Sequence, residues 1–304
     1  MNPAPGSPED SRPEKVARTA ATVAALLALG KVAAALATGS LSIWASALDS
    51  FMDTLASGTN AMALRLSRRE PTRIYAFGYG KIQSLALLLQ GMFITVSALS
   101  LGWTAVRHLQ EPHELRVLDA GIGVMAVTAA ISFLLTRHLR GEAARTSTPL
   151  LDADALHYTG DIWANGAAMA GLLLERWTGE PRMDPLFSIG IAAWILKGAL
   201  GVIGRAVSEL LDHGLPEAEI ARVAEVVARY APEVRGFHDL RTRRSGHRRY
   251  FDFHVVMRPD LTFVRSHEVT DGIVKDLEAL WPGADVTVHS DPEPDARLPY
   301  AGQG

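Results

Sequence analysis

The chain has 304 residues, 48% of them hydrophobic, with a formal net charge of −3. A mean hydropathy of +0.11 is high for a soluble domain of this length and points to a chain divided between lipid and water. The acidic balance excludes general nucleic-acid binding, which needs a basic field, and the lack of cysteine excludes disulfides, thiolate zinc sites and thiol catalysis.

The N-terminal stretch MNPAPGSPEDSRPE is polar, proline-rich and acidic, and has no basic region of the kind that opens a secretory signal. Residues 1–14 are therefore expected to form a disordered tail. Six windows then approach the roughly 20 apolar residues that a membrane-crossing helix needs. They are Thr19–Thr38, Leu41–Leu66, Ile82–Val106, Val117–Thr136, Asp154–Leu174 and Pro185–Val207. The second carries Asp49 and Asp53, and the fifth carries His157 and Asp161. Lys31 sits in the first, and Lys197 and Arg205 in the sixth.

Basic residues give an orientation. Arg12, Lys15 and Arg18 precede the first window, Arg65, Arg68, Arg69, Arg73 and Lys81 follow the second, and Arg137, Arg140 and Arg145 follow the fourth. The opposite connections hold only Arg107, Arg116, Arg176 and Arg182. The positive-inside rule then places both termini in the cytoplasm, as an even span count also requires.

From Ser208 the pattern changes. Ile220, Val223, Val226 and Val227 recur at helical spacing within Glu217–Tyr230, and Tyr250–Met257 alternates as a strand. His267–Leu280 reads as a second helix and Ala284–His289 as a second clear strand. The predicted order, helix–strand–strand–helix–strand, implies a small α+β domain with its helices on one sheet face. The expected organisation is a transmembrane domain over residues 15–207, a cytoplasmic domain over 208–292 and a disordered tail over 293–304.

The charges within the apolar windows carry the chemistry. Asp49 and Asp53 are spaced i, i+4, as are His157 and Asp161, so each pair lies on one helix face a turn apart. Two such faces supply four nitrogen and oxygen ligands, the number a tetrahedral zinc site takes. An ionisable side chain at mid-bilayer costs about 2.5–3.5 kcal/mol even on lenient insertion scales, so four of them imply a function. Polar contacts that merely hold helices together are the plainer alternative. Three neighbouring carboxylates repel unless protons or a divalent cation sit among them.

These residues stand in a recognisable setting. SIWASALDSFMDTLAS, ALHYTGDIWAN, FGYGKIQSLA, DPLFSIGIAAWIL and FHDLRTRRSG together resemble the cation diffusion facilitator family, in its bacterial ferrous-iron and zinc efflux branch. The likeness runs from about Val23 to Pro292. It implies a six-helix transmembrane bundle followed by a ferredoxin-like, metallochaperone-like cytoplasmic α+β domain. It also implies a homodimer in the bacterial inner membrane that exchanges cytoplasmic Zn2+, Fe2+, Cd2+ or Co2+ for protons, the metal serving both as substrate and as regulatory ligand.

By the same resemblance, Asp49, Asp53, His157 and Asp161 form the transport site. A binuclear cytoplasmic site maps to His238, His254, His267, His289 and Asp291, with Ser290 where relatives often have Gln. Lys81 and Asp212 match an interface charge pair. A loop site that relatives build from two histidines meets Tyr75 and Tyr79 in YAFGYGK, with Thr72 and Arg73 just upstream, and is expected to be lost.

GYGK is not a nucleotide-binding loop. A Walker motif needs Gly where Tyr75 stands and Ser or Thr where Ile82 stands, so neither nucleotide nor ATP-driven transport is expected. HDLRTR has no nucleophile–base pair about it, so no enzyme is expected. The rival from another class is a non-transporting membrane metal sensor or scaffold, which could dispense with the costly intramembrane charges.

Overall fold

The computed structural model describes residues 12–38, 41–110, 119–146, 148–178 and 182–293, and some side chains within the helices, that of Asp49 among them, lie outside the description. Of the two expected tails, 1–14 and 293–304, all but residues 12–14 and Glu293 also lie outside it. The chain divides into two compact units, one spanning Ser11–Val207 and the other containing everything from Ser208 onward.

Among the described residues the first unit consists of six helices: α1 (Arg12–Thr38), α2 (Leu41–Leu66), α3 (Lys81–Gln110), α4 (Asp119–Thr146), α5 (Pro149–Thr178) and α6 (Met183–Leu210). Arg12–Ala34, Lys81–Gln110 and Pro185–Leu210 are long and apolar enough by themselves to cross a membrane. Each helix is at least as long as its apolar window, and most overrun it. α1 starts at Arg12, so the last three residues of the expected tail are helical. Pro13 suits a first turn, where its missing N–H is no loss, and Glu14 complements the helix N-terminus. The Arg12 guanidinium then reaches the buried Glu142 on α4 at 2.8 Å. α4 likewise runs ten residues past Thr136, carrying Arg137, Arg140 and Arg145.

Small residues let these helices approach closely. Ala17, Ala20, Ala63, Ala86, Ala143, Ala153, Ala155 and Ala206 are buried with Leu64, Leu87, Leu139, Leu150, Leu151 and Val202 in a core that draws on all six helices. A Cβ on Gly91 of α3 would lie 2.7 Å from Ile203 Cγ1 and 3.3 Å from its backbone nitrogen, so α3 and α6 touch through a hydrogen-only surface. Gly198 of α6 faces Leu156 of α5 at a comparable 2.9 Å. Polar groups are paired across the same interior. Ser57 and Tyr158 share a hydrogen bond of 3.1 Å between α2 and α5, and Lys31 of α1 donates to Ser50 of α2 at 2.7 Å.

In the second unit the order is α7 (Glu217–Ala228), β1 (Val234–Ser245), β2 (Arg248–Met257), α8 (Phe263–Leu280) and β3 (Asp285–Pro292). The sheet runs β1-β2-β3, with β1 antiparallel and β3 parallel to β2. A ferredoxin-like split βαβ separates its parallel strands by a third; here β2 and β3 pair directly around α8, in a sheet of three strands among the described residues. Alternate residues of β2 (Phe251, Phe253, Val255 and Met257) pack against Val223, Val226 and Val227 of α7 and Val269, Ile273 and Leu277 of α8. Burying each of these aliphatic and aromatic side chains contributes about 1.5–3 kcal/mol. Thr262 caps α8, its hydroxyl accepting from the Arg265 N–H at 3.2 Å. The residues between these, Asp252, His254 and Val256, point to the face away from α7 and α8.

Candidate metal centres

The first cluster lies between α2 and α5. His157 Nε2 is 2.7 Å from Asp53 Oδ1 and 3.9 Å from Asp161 Oδ2. Asp53, His157 and Asp161 each offer an atom within 4.8 Å of the others, all partly buried. Helical spacing and side-chain reach produce this: His157 and Asp161 share one face of α5, and the Asp53 side chain meets it from α2. Asp49 lies one turn before Asp53 on α2, with its side chain outside the described residues. One imidazole nitrogen and two carboxylates converging from two helices form a donor set suited to a divalent transition metal.

One turn from His157 lies a polar group that the sequence reading did not single out. Asp154 of α5 is 1% exposed. Its Oδ1 accepts from Asn60 Nδ2 of α2 at 2.9 Å and from Gln90 Nε2 of α3 at 2.6 Å. Asn60 Nδ2 also donates to Gln90 Oε1 at 2.7 Å. Asp154 Oδ2 has no hydrogen-bond partner among the described residues. The sequence signal was present, an acid at the head of an apolar window; its amide partners on two other helices carry no charge to mark them.

The second cluster lies on the uncovered sheet face. His238, His254 and His289 occupy matching positions on β1, β2 and β3, so their side chains form a row across all three strands. Ring centroids are 5.2 Å apart for His238–His254 and 4.8 Å for His254–His289, close to the spacing between strands. Asp291, two residues beyond His289 and so on the same face, closes the row. Its carboxylate lies 3.3 Å from His238 Nε2, 2.9 Å from His254 Nδ1 and 2.9 Å from His289 Nδ1. Partial burial pushes the Asp291 carboxyl up, but the His254 hydrogen bond and the charges of His289, His254 and His238 outweigh it and hold the group below the usual carboxylate range. A bulge follows His238, where β1 spends one residue more than β2 and Asp239 adopts φ +52°.

The structure does not bring His267 to this row. It lies on α8, 67% exposed, 3.9 Å from Asp271, and α8 covers the opposite face of the sheet. Ser290 also turns toward α8, sharing a hydrogen bond of 2.8 Å with Thr270, so its side chain points away from His289 and Asp291. Asp212 pairs with Arg243 at 3.4 Å within the second unit, whereas Lys81 opens α3 in the first. Tyr75 and Tyr79 lie in the connection between α2 and α3 with ring centroids 4.9 Å apart, next to Gly78, whose φ of +77° suits glycine.

An apolar six-helix unit with a polar donor set between two helices, followed by a small sheet domain bearing a second such set, defines a membrane metal-handling protein. Residues 17–211 match the cation efflux transmembrane domain, and residues 215–293 match the cytoplasmic domain of cation efflux proteins. The chain belongs to the cation diffusion facilitator family. It is 40% identical over 280 residues to the cation-efflux pump FieF of Escherichia coli, covering 91% of this chain and 92% of that protein. It is 39% identical over 278 residues to FieF of Cronobacter sakazakii, with the same coverage of 91% and 92%. Among solved structures, the metal-bound C-terminal domain of the CzcD transporter from Thermotoga maritima aligns with 26% of this chain and 93% of its own, at 23% identity and a TM-score of 0.25.

Proposed function

We propose that the chain exports Zn2+ or Fe2+, with Cd2+ and Co2+ as further substrates, from the cytoplasm in exchange for protons. In this reading it is a homodimer in the bacterial inner membrane, with α1 to α6 as its six spans and both termini cytoplasmic. Asp49, Asp53, His157 and Asp161 hold the ion in transit. The single observation that carries the reading is the convergence of Asp53, His157 and Asp161 from α2 and α5 inside an apolar helical unit. Carboxylates and imidazole bind metal only when deprotonated, so one set of groups takes either the metal or protons, which is the exchange an antiporter needs. FieF relatives that are cation-efflux pumps over nine-tenths of their length support the direction of transport.

His238, His254, His289 and Asp291 bind a regulatory ion, and His267 joins them only through a rearrangement or a second subunit. Lys81 and Asp212 serve as interface charges. Tyr75 and Tyr79 leave the α2–α3 connection without a metal site, because neutral phenols beside Arg73 make a poor home for a dication.

The test is flux in reconstituted vesicles under an imposed pH gradient, with Zn2+, Fe2+, Cd2+, Co2+ and Mn2+ in competition. Asp161→Ala is expected to lower flux by at least the ~10–100-fold that loss of an outer-sphere partner alone costs a metal site. Flux surviving that change would refute the site. No flux of any ion by the parent chain would favour the sensor.

A further inference from the structure

The hydrogen-bond partners of Asp154, Asn60 and Gln90, lie outside the four-ligand set. A structural tie among α2, α3 and α5 does not need a carboxylate. Asparagine at 154 would accept the same two amide hydrogen bonds through one oxygen and bring no charge into the interior. Instead the chain buries an acid that is 1% exposed, with Asn60 at 1% and Gln90 at 3%, and leaves its second oxygen without a hydrogen-bond partner among the described residues. A buried carboxylate oxygen without a partner carries its full desolvation penalty, which a proton or a metal cation bound there relieves.

The position along the helices places the cluster on a metal ion's route. Asp154 lies three residues before His157 on α5, about 4.5 Å of rise, and Asn60 lies seven residues after Asp53 on α2, about 10 Å. α2 and α5 run in opposite directions in the orientation that the basic loops give, so both displacements lead from the transport site toward the cytoplasm. Gln90 lies nine residues into α3, about 13 Å from the end that follows the arginine-rich connection. A metal ion approaching from the cytoplasm therefore meets this cluster before it meets Asp53 and His157.

We infer that Asp154, Asn60 and Gln90 form a second cation station, which receives a partly hydrated divalent metal ion on its way from the cytoplasm to the transport site. This inference rests on the transporter reading given above. The charge of Asp154 draws the ion in, and the amide oxygens of Asn60 and Gln90 replace lost waters once the side chains turn. One carboxylate with two neutral oxygens and no imidazole binds a divalent transition metal more weakly than the donor set around His157. Weak binding is what a relay requires, since the ion must be held well enough to enter and loosely enough to leave.

The test presents Zn2+ to the full-length protein in vesicles, separately at the cytoplasmic and the opposite face, and compares the parent with Asp154→Asn. The variant keeps the size of the side chain and its amide contacts. The apparent affinity for Zn2+ at the cytoplasmic face is expected to fall about tenfold, the lower end of the loss seen when a group supporting a metal site is removed, with less than about a twofold change at the opposite face. Gln90→Ala, which leaves the carboxylate in place, serves if Asp154→Asn fails to assemble, and a drop at the cytoplasmic face alone, smaller than that of Asp154→Asn, is expected of it. Equal losses at both faces would make the cluster a scaffold for the transport site and overturn the inference, as would a variant indistinguishable from the parent. A parent that moves no Zn2+ from either face would bring down the transporter reading along with the station.

Discussion

The Nδ1 atoms of His254 and His289 stand 3.3 Å apart across the parallel β2–β3 pair, each also 2.9 Å from an oxygen of Asp291. At that distance either one ring nitrogen donates to the other, or both turn a lone pair toward a shared cation. His254 lies at the centre of the row, touching His238, His289 and Asp291. His254→Ala is therefore expected to reduce the Zn2+ bound per full-length chain and to weaken what remains by about 10–100-fold in equilibrium dialysis. Unchanged binding would remove the row from the list of metal sites.

Asp291 makes a pH prediction with a definite sign. Its folded-state carboxyl titrates below the ordinary value, so its contribution to stability is complete above the unfolded value of about 3.9 and disappears as pH falls through the folded value. Hydrogen exchange of the β2 and β3 amides in the metal-free chain should rise across that acid window. In Asp291→Asn that rise should be blunted. Identical acid profiles for the two chains would remove this coupling.

Gly91 tests the packing that brings the helices together. With Ile203 Cγ1 at 2.7 Å and its backbone nitrogen at 3.3 Å from an added Cβ, Gly91→Ala must push α3 away from α6. A cost of about 1–3 kcal/mol is expected, read as a lower thermal-unfolding midpoint of the detergent-solubilised protein. Gly201→Ala is the control, since a Cβ there meets nothing within 4 Å.

Tyr79→Phe removes the phenol oxygen and leaves the ring that faces Tyr75. Metal stoichiometry and flux should both match the parent. A titration that loses bound metal on this change would restore a site to the α2–α3 connection.

The extent of α2 was legible as an apolar run of membrane-crossing length, and the shared face of His157 and Asp161 and the strand carrying His254 because each depends on a local period of 3.6 or 2. β1 was not legible as an alternating strand. Its two register shifts, after Val234 and after His238, interrupt the period of two, and its run of arginines offers no apolar face to count. The Asn60–Gln90–Asp154 cluster was missed for a different reason. Its members are 30, 64 and 94 residues apart, and only the packing of three helices makes them neighbours. His267 shows the reverse: resemblance groups it with the other histidines, while the helix that carries it packs on the far side of the sheet.

The bulge after His238 changes the phase of β1. Between the two shifts, Phe237 points to the core and His238 away from it; beyond the second, Thr242 sits opposite the buried Phe251, so the core-facing positions switch from odd to even numbers. A strand of uniform parity could not serve both stretches. Deleting Asp239 alone would force a choice, because a one-residue slip exchanges the faces of everything on one side of it. Either His238 would be driven beneath the helices, or Thr242 would leave Leu215, whose N–H its hydroxyl now accepts at 2.9 Å. Chain length at this one position is thus as much a part of the histidine row as the histidines themselves.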